Sequence, residues 1–294
     1  MKLLETLRIR AASAARRRAA RFGVGERPAR LDLRLDGFDA PTTAGAGAAL
    51  RVDQWQERLV EYLQWVGPTP VRITAHAGHP FLPDLARFCH RVEMPVTVRT
   101  GPAGLDVARA EELLDRGMHV CELVTERIDA EAEAALRALV HARHDRALPL
   151  TVHVHVPIHE GSADGARGVF AAARGLGADA VVLCPPWQGV ALGPSARAGV
   201  AAALGEGWPL QGTGRLAREV LVALAPGGPG APRSGGNCAL GGTRLVLEPD
   251  GAARVCPFHP GLATGPLAES GAALAAHRAA IRRCDRRCGH PELV

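Results

Sequence analysis

The chain is poor in several features that would point to common functions. Aromatic residues make up 4% of its 294 residues, with a single Tyr. Nowhere do they interleave with basic residues as the stacking platforms of a nucleic-acid groove do, so no nucleic-acid partner is expected. No apolar run reaches the length of a membrane span, and no signal-type apolar stretch leads to a cleavage site. The seven cysteines are odd in number and come without secretory features. That speaks against a disulfide framework and predicts a reducing compartment, the cytoplasm. None of them precedes Cys89.

The net charge of +5 is a property of one end. The first thirty residues hold one Lys and eight Arg against Glu5 and Glu26, a balance of +7, which leaves the rest of the chain at −2. Within residues 1–28, Leu3, Leu4, Leu7, Ala11, Ala15 and Phe22 give a mostly apolar stripe, with Arg16, Arg17, Arg18 and Arg21 towards the other side. This is the pattern of a basic amphipathic helix. The expectation is a solvated helix lying across the body of the protein; peripheral contact of residues 1–22 with an anionic membrane, or with an acidic peptide, is the alternative.

From Arg30 a unit of β-rich run, loop and helical stretch repeats. Strands are predicted at Leu31 to Asp36, Val71 to His76, Val96 to Thr100, His119 to Val124, Leu150 to Pro157 and Ala180 to Cys184. Helices are predicted at Val52 to Trp65, Leu82 to Arg91, Leu105 to Arg116, Ala130 to Arg143, Ala163 to Arg174 and Ser195 to Leu204. Six such units predict an α/β fold, an incomplete parallel (β/α)6 barrel over residues 29–225 with its helices outside.

The strands alternate. Leu31, Leu33 and Leu35 interleave with Asp32, Arg34 and Asp36; Val71, Ile73 and Ala75 with Arg72, Thr74 and His76; Val96 and Val98 with Thr97 and Arg99; and Val152, Val154 and Val156 with Thr151, His153 and His155. If the apolar side packs on the helices, the inner side is polar, whereas a closed eight-stranded barrel fills its interior with branched apolar side chains. A solvated lumen with a polar ligand is therefore expected. His76, His153, His155 and His159 are candidate ligands there, since imidazoles from two strands with a carboxylate such as Glu160 suit Zn or Fe. Arg34, Arg72 and Arg99 are candidates for gripping a carboxylate or phosphate, with simple pairing to Asp32 and Asp36 the commoner outcome for such charges. Cys89, Cys121 and Cys184 lie in apolar stretches and read as buried small hydrophobes. Trp187, after the sixth strand, is a rim aromatic or plain packing.

Residues 226–237 hold eight Gly or Pro and read as a linker to a small domain at 238–294. Its first part is a predicted β-hairpin: Thr243 to Leu247 and Ala252 to Val255, joined by Glu-Pro-Asp-Gly with Gly251 free to take positive φ. The hairpin would bring Cys238 and Cys256 together, and a following helix, Ala272 to Ile281, would deliver Cys284 and Cys288. Four thiolates can thus converge on one metal centre.

This segment resembles the SPASM, or shortened twitch, auxiliary-cluster domain of radical S-adenosylmethionine (radical SAM) enzymes. The pattern there is a cysteine, a dozen or so residues, a glycine, four residues and a cysteine. Cys238, Gly251 and Cys256 keep it, with twelve and four residues between. The chain stops six residues after Cys288, so the resemblance implies one auxiliary [4Fe-4S] cluster at most, held by Cys238, Cys256, Cys284 and Cys288; zinc is the alternative, though only the last two cysteines are closely spaced. Six βα units before such a domain are also the family's order, and Ala77-Gly78-His79-Pro80 resembles its Gly-Gly-Glu-Pro motif, which implies Gly78 and His79 at a cofactor's amino group.

The family's Cys-x-x-x-Cys-x-x-Cys motif, expected after the first strand, is absent: Gly37 to Gly45 contains no cysteine. The glutamate of the second motif is His79. The resemblance therefore implies a degenerate member without the site that cleaves S-adenosylmethionine, and whether that cofactor still binds is left open. Two functions follow as expectations. One is an accessory protein that binds a peptide or small polar substrate for a partner enzyme in peptide or natural-product modification. The other is a metalloenzyme using the barrel histidines, or a non-radical enzyme that binds S-adenosylmethionine.

Overall fold

The computed structural model describes residues 28, 30–38, 49–146, 149–157, 166–184, 244–254 and 263–264. The amphipathic segment, the helix at 195–204, the linker, His159, Glu160, Trp187 and the four C-terminal cysteines lie outside them. The chain divides into two units, Met1–Arg99 with Glu112–His119 and Cys238–Arg282, and Thr100–Glu111 with Val120–Asn237 and Arg283–Val294.

The first unit is organised by β1 (Arg30–Arg34), β2 (Val71–Thr74) and β3 (Val96–Thr100), with α1 (Val52–Trp65) and α2 (Leu82–Arg91) in the crossovers. In α1, Trp55, Leu59, Tyr62 and Leu63 recur at helical spacing and are buried. Its start is fixed by the Arg51 amide donating to Gln54 Oε1 at 3.0 Å, and its end by Gly67 at φ 93° followed by Pro68. Helix α2 buries Leu82, Leu85, Ala86 and Cys89 and packs on β2. Its last turn closes through Glu93, which takes φ 65°.

Register then decides which residues share a face. Leu31, Val71 and Val96 are partners, as are Leu33, Ile73 and Val98, and all six are buried. This apolar face is covered by the helices, as expected for a parallel sheet. On the other face Asp32 stands beside Arg72, which in turn stands beside Thr97, and Arg34 beside Thr74, which in turn stands beside Arg99.

The predicted hairpin forms, and it joins this sheet. β7 (Arg244–Leu247) lies parallel to β1, with Leu31 opposite Leu245 and Leu33 opposite Leu247. β8 (Ala253–Arg254) returns antiparallel to β7 and is followed by β9 (Ala263–Thr264). The order within the unit is β3-β2-β1-β7-β8-β9. Gly251 turns the chain at φ 79°, and the Gly251 amide donates to the Glu248 carbonyl at 2.8 Å.

The second unit holds β4 (Met118–Val124), β5 (Thr151–Pro157) and β6 (Ala180–Cys184), all parallel, with α4 (Ala130–Arg146) and α5 (Ala166–Gly175) between them. Helix α5 packs on β5 and β6. Helix α3 (Val107–Asp115) starts two residues later than its apolar pattern predicts, because the Asp106 carboxylate accepts the Arg109 amide at 2.8 Å and makes Asp106 the cap. The six predicted βα strands are present, and the fold class is parallel α/β of the partial-barrel kind.

Candidate functional site

The carboxyl ends of parallel strands are where α/β folds place their sites, and in the first unit the polar face rises to that end in layers. At the lowest layer Asp32 accepts from Arg72 Nη2 at 3.0 Å and lies 3.0 Å from Arg30 Nε. One layer up, Arg34 Nη1 lies 3.7 Å from Glu248 Oε1. Arg99, a partner of Thr74, is 2% exposed in the same layer. Pairing of Arg72 with Asp32 follows the sequence expectation, and Arg34 finds Glu248, a residue read from sequence as part of a turn. Asp32, Arg34, Arg72 and Arg99, expected to face a solvated lumen, are buried. Arg34 and Arg72 spend their charge on carboxylates of the chain itself.

The top layer is different. Asp36, also predicted to pair with an arginine, pairs with His76. Its Oδ2 accepts the His76 amide at 2.9 Å and lies 2.9 Å from His76 Nδ1, and its Oδ1 accepts the Phe38 amide at 3.0 Å. The Phe38 ring meets the imidazole edge-on, with centroids 5.2 Å apart. The His76 side chain is 60% exposed.

His79 and Gly78 follow in the turn before α2. The His79 amide donates to the His76 carbonyl at 2.9 Å, and His79 Nδ1 accepts the Phe81 amide at 3.3 Å. Gly78 is exposed, and a Cβ built there would meet nothing within 4 Å.

In the second unit, register places Glu122 beside His153, and His155 two residues on along the same face. His155 Nε2 lies 3.9 Å from Glu122 Oε2, and the rings of His153 and His155 stack with centroids 6.4 Å apart. Burial lowers the His153 pKa below its ordinary value, against opposing pulls from Glu122 and Asp179. Its Nε2 is buried with no hydrogen-bond partner. Glu122, Glu248 and Phe38 were not singled out from sequence. The first was readable as a carboxylate within the apolar run of β4, whereas the other two become visible only through register.

Among the described residues no group of three or more His, Cys, Asp or Glu is arranged to hold a metal. Cys89 and Cys121 are buried and free, and desolvation pushes each thiol up to about 12. The end of β1, with Asp36, Gly37 and Phe38, presents a carboxylate and no thiol, and Asp39 to Gly45 supply none in sequence. This donor set does not fit a cluster that needs three thiolates. Among the described residues no helix is long and apolar enough to cross a membrane.

No family model and no curated protein matches the sequence. Solved structures do match. SuiB of Streptococcus suis bound to S-adenosylmethionine aligns with TM-score 0.55 at 10% identity, over 82% of this chain and 61% of that one. SuiB bound to its precursor peptide SuiA aligns at 0.54 and 9%, over 82% and 62%. Native anSMEcpe with bound AdoMet aligns at 0.54 and 11%, over 79% and 75%. The fold is radical SAM-like. The chain spans about three fifths of the length of the SuiB chains it matches.

Proposed function

We propose that this is a radical SAM-like protein that has lost the site for cleaving S-adenosylmethionine, carries one auxiliary [4Fe-4S] cluster on Cys238, Cys256, Cys284 and Cys288, and binds a peptide or small polar substrate for a partner enzyme. The observation that carries this reading is the end of β1, where a carboxylate, a glycine and a phenylalanine stand and no thiol follows before Cys89. Reductive cleavage of the cofactor needs an iron left open by three thiolates. The cysteine spacing at the tail supports the auxiliary cluster, and the precursor peptide bound by SuiB supports a peptide ligand.

Anaerobic isolation with iron, sulfide and zinc quantified tests the reading. About four iron per chain with a broad absorbance near roughly 400 nm is the expected result. No 5'-deoxyadenosine should form with S-adenosylmethionine and a strong reductant. Two clusters, no iron, or 5'-deoxyadenosine would each overturn it.

A second reading rests on His153. A neutral imidazole with a buried, unpartnered Nε2 is the form that ligates metal, with His155 beside it and His159 as a further ligand. Zinc or iron beyond the cysteine-held complement, lost in the His153→Ala, His155→Ala double variant, would favour this metalloenzyme.

A further inference from the structure

Two imidazoles three residues apart at the end of β2 are held in opposite tautomers. His79 Nδ1 accepts a backbone amide hydrogen, so its neutral ring carries the proton on Nε2. His76 Nδ1 faces Asp36 Oδ2 at 2.9 Å. That carboxylate already accepts one amide at each oxygen, from Phe38 and from His76; a carboxylate accepts and does not donate, so the proton shared with it sits on His76 Nδ1. The lone pair of His76 is therefore on Nε2, away from Asp36, on a side chain that is 60% exposed. The Phe38 edge contact restrains the ring, and the three amide or imidazole contacts restrain the carboxylate.

A carboxylate that orients an imidazole through Nδ1–H and leaves Nε2 as the base is the geometry of a proton-accepting pair. Its position at the carboxyl ends of β1 and β2 is where a substrate of this fold class is handled. The geometry points to His76 as the proton acceptor toward a polar substrate that presents a hydroxyl or amide hydrogen, with Asp36 as its positioning residue. The O–H or N–H bond of the substrate breaks, its electron pair stays on the substrate atom, the Nε2–H bond forms, and the imidazolium then returns the proton to solvent. No redox partner enters. The assignment is independent of the cysteine-held cluster, so iron content and histidine reactivity fail separately.

The test uses the full chain and diethyl pyrocarbonate, which acylates the unprotonated imidazole nitrogen, read residue by residue by mass spectrometry. His76 should acylate faster than the exposed His141 and His144, and Asp36→Asn should slow it about ten-fold, the scale on which removing an orienting carboxylate acts. Long-range ¹H–¹⁵N spectra of the unmodified protein should show Nδ1–H at His76 and Nε2–H at His79. The spectra need no variant and so survive any misfolding of Asp36→Asn. An Nε2–H tautomer at His76, or acylation at the rate of His141 and His144, overturns the proposal.

Discussion

Glu248, fully buried at the end of β7, sits 3.7 Å from Arg34 of β1. The contact ties the C-terminal hairpin into the sheet of the first βα units. Removing one partner of a buried pair strands the other charge, which costs about 3–5 kcal/mol. Glu248→Ala should lower stability by that order in urea unfolding. The Arg34→Met, Glu248→Leu pair should lose much less, because neither charge is then left buried.

Gly251 makes the same hairpin turn. An alanine there would hold φ 79° with its Cβ 2.7 Å from Leu50 Cδ1. Gly251→Ala should destabilise by about 1–2 kcal/mol. Adding Leu50→Ala should relieve the clash but not the backbone term, so only partial recovery is expected by the same unfolding measurement.

His153 sets a pH dependence. Burial lowers its pKa, so at low pH the unfolded chain binds a proton that the folded chain resists. Its contribution to stability is complete above the ordinary imidazole value of about 6.5 and is lost as pH falls below it, down to the lowered folded value. Urea midpoints should fall between pH 7.5 and pH 5, and His153→Gln should flatten that dependence.

The two buried thiols should be silent. With Cys89 and Cys121 pushed up to about 12 by burial, thiolate is scarce at neutral pH. Iodoacetamide at pH 8 should label neither in the native protein within the time that labels both in guanidinium, as read by peptide mass spectrometry.

Tyr62 gives a local check on the first crossover. Its hydroxyl and Thr69 Oγ1 are 2.7 Å apart, and its ring meets Trp65 edge-on. Tyr62→Phe keeps the ring contact and should cost about 1 kcal/mol, the net value of one such hydrogen bond.

Much of this was legible in the chain itself. Alternation at Leu31 to Asp36 and Val71 to His76 separates the faces of β1 and β2, because side chains on a strand point to opposite sides by turns. The periodicity of Trp55, Leu59, Tyr62 and Leu63 marks α1 for the same local reason. Pro249, Asp250 and Gly251 announce a turn, since few residues take positive φ. These are properties of neighbours in sequence.

Pairing between strands is not. Asp32 meets Arg72 and Asp36 meets His76 across forty residues, and Arg34 meets Glu248 across most of the chain. Which charge faces which depends on register, and a slip of one residue would turn every side chain to the other face. Composition and alternation thus determined that the inner face would be charged. Only the folded sheet, by laying β7 against β1 and aligning β1 with β2, decided that Arg34 and Arg72 are paired within the protein and that His76, at the strand ends, meets Asp36 with its side chain 60% exposed.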